Sequence, residues 1–433
     1  MTMSKNINLL SNKEIYIHCI SSGNNAGQWI VYLPLVQYAR LISATTLQKL
    51  EAVLAGNAPE HDDSINEILG HINDEPKTIY FTPKSVDGLL NMMILPNNKC
   101  NFHCSYCYSA HGRSGKEIES KKLYAAIDYF FAPERAKGKR LTISVLGGGE
   151  PLLSWEVVRK ALDYAYRANE KRDQDLPVSI VTNGSIATDE FIAYCMHHNI
   201  SLSVSFDILE EIQNKQRGEY QKVYRNINRF ADNGLDVALN TVITHDNVLL
   251  MESMIKTMSE TMPMVKKVSF KPIISDSYFT DVQTRESYYH EFVTAFFRAK
   301  TLAREKGIYL TTPYLNNSAC LADRYCPGKF VVTAEGMVSI CHCVSSSRDT
   351  LYNQFIFGKI NDTGQVEIYE EKLKDILAHD QNMNKNCRHC IARWHCAGGC
   401  YTDNCCMDDM AHEAYCRSMR LFMELYLQEY FKL

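Results

Sequence analysis

Apolar residues near the start of the chain gather in two short runs, 14–20 and 29–33, that read as strands. Between 43 and 54 the spacing becomes helical: Leu47, Leu50, Val53 and Leu54 share a face, and Gly56 follows as a stop signal. A polar stretch, 57–62, and a second helix near 65–72 complete a small unit that ends at about residue 88. From residue 89 onward β-like runs alternate with amphipathic helical stretches, the pattern of repeated βα units. Strands are expected at 91–95, 141–146, 178–182, 201–206, 236–243 and 267–271. Six parallel strands with helices between them predict an α/β fold, a partial (β/α)6 barrel behind a small N-terminal α+β domain. After Pro313 the apolar periodicity weakens while cysteines become dense, so ligand bonds are expected to replace burial as the source of folding energy there. The predicted domains are 1–88, 89–313 and 314–433.

Length agrees with such a division, because single cores stop growing near roughly 250 to 300 residues and the chain has 433. A hydrophobic share of 45% and a charged share of 22% exclude disorder and fibrous repeats. The net charge of -4 lacks the clustered basic surplus that a nucleic-acid partner requires. Neither a signal peptide nor a run of about 18 apolar residues is found, so a cytoplasmic protein with no membrane partner is expected. In such a chain sixteen cysteines point to metal or redox chemistry rather than to a disulfide framework.

Directly after the first barrel strand, KCNFHCSYCYS places Cys100, Cys104 and Cys107 in a CxxxCxxC spacing with the aromatic Tyr106 before the last cysteine. A loop of this kind turns three thiolates inward, and a [4Fe–4S] cluster with three protein ligands leaves one iron open. A partial zinc site is the bland alternative, but zinc prefers CxxC pairs and a fourth ligand. The motif resembles the radical S-adenosylmethionine (SAM) superfamily, in which the open iron is chelated by SAM. Further matches follow in family order. Gly148, Gly149 and Glu150 after the second strand resemble the segment that binds the SAM amino group, and Thr182 and Asn183 after the third resemble the segment near its ribose and adenine. Ser205 on the fourth strand and Arg217 match positions that hold the SAM carboxylate, for which an arginine fork is suited. All stand at the C-terminal ends of predicted parallel strands, where a βα barrel builds its active site.

A second constellation runs from Cys320 through Cys326, Gly336 and Cys341 to Cys387, Cys390, Cys396, Cys400 and Cys416. From Cys326 the spacing reads Cx9Gx4C, gap, Cx2Cx5Cx3C, gap, C, and it resembles the SPASM domain, an auxiliary-cluster extension of radical SAM enzymes acting on peptides and proteins. The resemblance implies one auxiliary [4Fe–4S] cluster on Cys320, Cys326, Cys341 and Cys400, and another on Cys387, Cys390, Cys396 and Cys416. With the SAM-binding cluster that makes three. A pair of all-cysteine zinc sites would use the same CxxC grammar. Cys19, Cys195, Cys343, Cys405 and Cys406 remain over and are read as structural.

The resemblance implies reductive cleavage of SAM to methionine and a 5′-deoxyadenosyl radical, with a reductant such as flavodoxin or ferredoxin and a peptide or protein substrate whose side chain is oxidised. One expectation is a maturase of ribosomally made peptides, with residues 1–88 binding the leader of a precursor along a sheet edge. The structural alternative is that this unit caps the barrel through residues such as Leu47, Leu50 and Leu54. A rival enzyme is the anaerobic sulfatase-maturing type, which forms formylglycine. It places an acidic base after the cysteine matching Cys341, where this chain has His342, itself a candidate base. The third class is an iron–sulfur binding protein without catalysis.

Overall fold

The computed structural model describes residues 4–9, 13–20, 25–57, 62–172, 174–274, 278–378 and 387–431. Four antiparallel strands, β1 (Ser4–Leu9), β2 (Lys13–Cys19), β3 (Trp29–Leu33) and β4 (Tyr38–Ile42), form a sheet in chain order. Helix Ala44–Leu54 follows, N-capped by Ser43, and helix Asp63–Ile72, N-capped by Asp62. One face of the sheet (Ile15, Ile17, Val31, Leu33) packs with Leu47, Leu50, Ile65 and Ile68 into a core of its own. The barrel-capping role expected of Leu47, Leu50 and Leu54 therefore does not hold: they are spent inside the unit. The other face, with Tyr16, Ile20, Ile30 and Tyr32, joins the main core.

A short strand, β5 (Ile79–Tyr80), leads to the six parallel strands β6 (Asn91–Ile94), β7 (Thr142–Val145), β8 (Val178–Thr182), β9 (Ser201–Ser205), β10 (Val237–Ile243) and β11 (Lys267–Pro272), each beside the next. The expected strands are found within a residue or two at each end. The sheet is longer than six, however. β12 (Tyr309–Thr311) adds in parallel to β11. After β13 (Leu321–Ala322), which pairs with β5, strand β14 (Phe330–Val332) adds in parallel to the free side of β6. The antiparallel strands β15 (Met337–Ser339), β16 (Ile356–Ile360) and β17 (Val366–Ile368) continue the same sheet. The cysteine-rich region is thus joined to the barrel by backbone hydrogen bonds, through strands of three residues too short to show periodicity.

Alternation along the barrel strands separates two surfaces. Ile143, Val145, Ile180, Leu202, Val204, Leu239, Val268 and Phe270 are fully buried in the main core, beneath helices such as Ser120–Phe130 and Trp155–Asn169. The alternate set mixes small or polar residues, Ser144, Ser179, Ser203, Ser205, Asn240, Ser269 and Lys271, with Met93, Val181 and Val242, and keeps access to solvent. Ser179 donates to Ser144 across neighbouring strands at 3.1 Å, which confirms a shared face. Barrels packed solid fill this face with branched apolar residues; this one leaves a lumen lined mostly by small and polar residues.

Contrary to the expectation of little core after residue 313, helix Asp409–Tyr430 buries Tyr415, Met419, Phe422, Met423 and Leu427. It lies along helix Val282–Glu305, with Phe422 against the Phe296 and Phe297 rings. The N-terminal sheet docks on this C-terminal region. His18 meets Glu424 at 3.0 Å with both side chains 1% exposed, Tyr32 meets His395 at 2.6 Å, and Glu14 accepts from Arg393 and Trp394.

Candidate active site

The chain leaves β6 into the loop bearing Cys100, Cys104 and Cys107, and the loop after β7 fits against it. Gly149 permits the contact, since a methyl group there would stand 1.8 Å from the Lys99 carbonyl oxygen. Gly148, at φ +72°, has Asn97 O only 2.7 Å from the same hypothetical position. Glu150 N–H donates to Lys99 O at 2.7 Å, and Asn97 Nδ2 donates back to Glu150 O at 3.0 Å. The glycine run is therefore a fitted wall of the cysteine loop, more than a turn.

Glu150 is 2% exposed. Its carboxylate accepts from Leu152 N–H at 3.0 Å, Thr182 O–H at 2.7 Å and Asn183 N–H at 2.7 Å, tying the ends of β7 and β8 together. Burial nonetheless raises its pKa. A carboxylate offers about four acceptor sites, so one remains for an ammonium. Asn183 also reaches the cysteine loop, donating to Asn101 Oδ1 at 2.9 Å with Cys100 Sγ at 3.9 Å.

Tyr106 links the loop to the far side of the barrel. Its hydroxyl donates to Asp207 Oδ2 at 2.7 Å and accepts from Arg217 Nη1 at 2.9 Å. Asp207, completely buried two residues beyond Ser205 and the end of β9, also accepts from Val242 N–H at 3.2 Å. Burial raises its pKa and the Arg217 charge opposes the rise. Sequence reasoning singles out Tyr106, Ser205 and Arg217 and misses Asp207, whose one available signal is its place at a strand end. The buried Nε of Arg217 has no hydrogen-bond partner, and neither amide atom of Asn98, beside Gly148, has one. A guanidinium with a vacant N–H fits the carboxylate of SAM, and the remaining Glu150 acceptor fits its amine.

The three cysteines of this loop are half-buried. Cys107 Sγ accepts from Arg113 Nη2 at 3.2 Å. Burial raises the Cys104 pKa, with Arg217 acting the other way.

Among the C-terminal cysteines the structure brings Cys387, Cys390, Cys396 and Cys416 near one another. Cys396 is pushed well up by burial and by the nearby Cys416, Cys390 and Cys387, and Cys416 is pushed up to about 12, burial first and then Cys390. Four thiols so crowded resist ionising unless a cation joins them, and a metal cluster supplies that charge. The other set is assembled in part. Cys400 has Cys341 and Cys326 as neighbours, Thr402 donates to Cys341 Sγ at 3.2 Å, and Lys329 Nζ donates to Cys326 Sγ at 3.2 Å. Although burial opposes its charge, the Cys326 and Cys341 thiols hold the Lys329 ammonium above its ordinary range. The Cys320 thiol turns back onto the carbonyl of Asn317 at 3.6 Å. Cys343, read from sequence as structural, lies with Cys341 and His342 in a group whose ligand atoms are all within 4.8 Å of one another.

The two constellations meet at the lumen. The ring of Tyr108, one residue past Cys107, stands edge-on to His342 with centroids 5.8 Å apart. Lys271, on the lumen face of β11, is also near His342, and the pKa of that imidazole is driven down to about 3 by burial and then by the Lys329 and Lys271 charges. The Nδ1 atom of His342 has no partner.

Residues 94–258 match the radical SAM superfamily and residues 324–391 match SPASM, an iron–sulfur cluster-binding domain. The radical SAM cyclopropyl synthase TigE of Paramaledivibacter caminithermalis is 23% identical over 339 residues, 71% of this chain and 67% of that protein. The solved structure of anSMEcpe with bound AdoMet is similar at TM-score 0.64 and 18% identity, covering 79% of this chain and 98% of that one. Streptococcus suis SuiB bound to precursor peptide SuiA gives TM-score 0.51 at 16% identity, covering 89% and 95%. Among the described residues no helix is long and apolar enough to cross a membrane. The matched domains and the shared fold agree: the chain carries a radical SAM domain and, behind its partial barrel, a SPASM domain, and uses SAM and [4Fe–4S] clusters, the cofactors those domains imply.

Proposed function

We propose that this protein is a radical SAM maturase that oxidises a side chain of a peptide, one made on the ribosome with a leader segment. The observation that carries the reading is the meeting of Tyr108 and His342, which sets the SAM loop and the first auxiliary cysteines on one lumen. Bound at Cys100, Cys104 and Cys107, a [4Fe–4S] cluster with SAM supplies methionine and a 5′-deoxyadenosyl radical. The chain's own part is to hold and shield. Arg217 and the last Glu150 acceptor orient the methionyl group of SAM, with Thr182 and Asn183 fixing the Glu150 carboxylate. The small residues Ser144, Ser179 and Ser203 leave room for a substrate segment, and the surrounding core keeps bulk water from the radical.

Four cysteines assigned to each auxiliary set would close both clusters to the substrate and suit them to carry the second electron away from it. TigE, by its name a cyclopropyl synthase, and SuiB, solved with a precursor peptide, support a peptide substrate. For the leader, β4 is the sheet margin that remains, since β1 lies beside residues 387–389. An added strand would run there beside helix Asp63–Ile72, whose Glu67 pairs with Arg40 and Tyr38. Formylglycine formation is disfavoured by the identity of residue 342, which is a histidine where that chemistry asks for an acidic residue.

The test is anaerobic reconstitution with SAM, dithionite and the product of a short reading frame beside the gene. Deoxyadenosine and a peptide lighter by a pair of hydrogens are expected. Deoxyadenosine without any change in that peptide, joined to turnover of a sulfatase-derived cysteine peptide, would transfer the chain to the rival class.

A further inference from the structure

The lumen-facing positions of β6 to β11 carry two charged side chains, Lys267 and Lys271, four residues apart on β11. Lys267 stands at the N-terminal end of the strand, where its ammonium donates to both oxygens of Asp236 at 2.7 Å. Lys271 stands near the C-terminal end, the end at which the loops bearing Cys100 and Glu150 leave their strands. Among the described residues no carboxylate forms an ion pair with Lys271. Its titratable neighbours are Cys343 and His342 of the C-terminal region. Other cations of the site are already engaged. Arg113 donates to Cys107 at 3.2 Å, Lys329 to Cys326 at 3.2 Å and Arg217 to Tyr106 at 2.9 Å. Lys271 donates to none of these groups. Water reaches its exposed side chain, yet the protein encloses it closely enough that burial pulls its pKa down.

We propose that Lys271 binds a carboxylate of the substrate, either the side chain of an aspartate or glutamate in the segment that enters the lumen or the C-terminal carboxylate of the peptide. The inference rests on the peptide-maturase reading and deepens it. An ammonium offers three donors and no acceptor, and enclosing it without a counter-ion is costly. A carboxylate that replaces lumen water supplies the opposite charge and the acceptors together. The pair is screened least once the segment fills the lumen.

The position of Lys271 gives the contact its use. His342, beside Lys271, meets Tyr108 one residue past Cys107, so a carboxylate held there pins the peptide at the seam between the barrel and the C-terminal region. The anchor then sets which side chain of the segment reaches the SAM site. Selection is by charge. A segment without a carboxylate leaves the ammonium unpaired, and one with a lysine or arginine in that place meets like charge.

The experiment uses the reconstituted full-length protein with SAM, dithionite and the product of the short reading frame beside the gene. Further forms of that peptide carry Asn or Gln in place of each Asp or Glu of the modified segment in turn, and one form ends in an amide. KM and kcat for the peptide are measured, with iron content and SAM affinity alongside. Lys271→Gln should raise KM for the unaltered peptide roughly ten- to hundred-fold while SAM affinity stays native. On the native protein one peptide form should show the same rise, the amide marking the C-terminal carboxylate and a substituted form marking a side chain. That form should lose nothing further with Lys271→Gln, because the two changes remove one contact. An unchanged KM in a folded Lys271→Gln protein overturns the proposal, as do additive losses. Equal KM for every peptide form on the native protein overturns it too, and this arm decides even where Lys271→Gln fails to hold iron. A native chain that cleaves SAM and leaves the unaltered peptide unmodified removes the maturase reading itself, and the inference with it.

Discussion

Tyr106 donates its hydroxyl to Asp207 across 2.7 Å, which ties the aromatic residue of the three-cysteine loop to the end of β9. Asp207→Ala leaves the Tyr106 hydroxyl and the Val242 N–H buried without an acceptor. Each such loss costs about 1–3 kcal/mol, so a lowered melting temperature and weaker SAM binding are both expected. Calorimetric titration with SAM and thermal unfolding measure the two. Native SAM affinity in a folded Asp207→Ala protein would show that the relay through Tyr106 does not shape the cofactor site.

Arg217 has an unpartnered, buried Nε besides its bond to Tyr106. Replacement by Lys keeps the charge but removes the planar fork that pairs with a carboxylate through two N–H groups. Loss of one charge-assisted hydrogen bond, about 1.5–3 kcal/mol, corresponds to roughly ten- to hundred-fold weaker SAM binding. Iron content should stay at the native level. Equal SAM affinity in Arg217→Lys would move the SAM carboxylate elsewhere.

Much of the fold and the site is legible in the chain, and the remainder is hidden for identifiable reasons. The strands Trp29–Leu33 and Val178–Thr182 follow from short apolar runs between turn signals, and the cysteine spacing by itself locates the two constellations. Strand β14 leaves no such trace, because three residues carry no periodicity and its partner β6 is more than two hundred residues away. The helix Asp409–Tyr430 is hard to read because Glu424 interrupts its apolar face, where it meets His18 from near the other end of the chain. Asp207 is not among the site residues read from the chain, and its role emerges once Tyr106 and Arg217 are brought to it.

Cys320 and Cys343 compete for the last position of the first auxiliary set. Cys343 is nearer in space, with its thiol against Cys341. Thiols so close are poorly placed to bind different irons of one cluster, whose ligands splay outward. Cys320 turns onto Asn317, so its sulfur has to leave that carbonyl to join the set. Cys320→Ala should therefore lose one whole cluster, about four of about twelve irons per chain, while Cys343→Ala keeps nearly all. The opposite result in iron analysis and absorbance would exchange the two residues.

Removal of the N-terminal unit tests how far it belongs to the core. If residues 1–88 served only to recognise a leader, a protein truncated to begin at Lys77 would fold and cleave SAM. The structure argues otherwise. Truncation uncovers the core surface that Tyr16, Ile20, Ile30 and Tyr32 close, and it removes His18 from its 3.0 Å contact with Glu424. The truncated protein should aggregate or melt well below the native one, and its inactivity on a precursor would say nothing about leader binding. A gentler probe of the same seam is Tyr32→Phe, which takes the donor from His395 Nε2 while the other nitrogen keeps the Cys320 carbonyl at 2.9 Å. Burial holds His395 near a pKa of about 4, against about 6.5 for a free imidazole. The neutral ring's contribution, about 3 kcal/mol, is thus complete above pH 6.5 and is lost as the pH falls from there toward 4. Denaturant unfolding across that window should show a steeper loss of stability in the native protein than in His395→Asn. A soluble truncated protein with native melting behaviour would show instead that the sheet is a separable appendage.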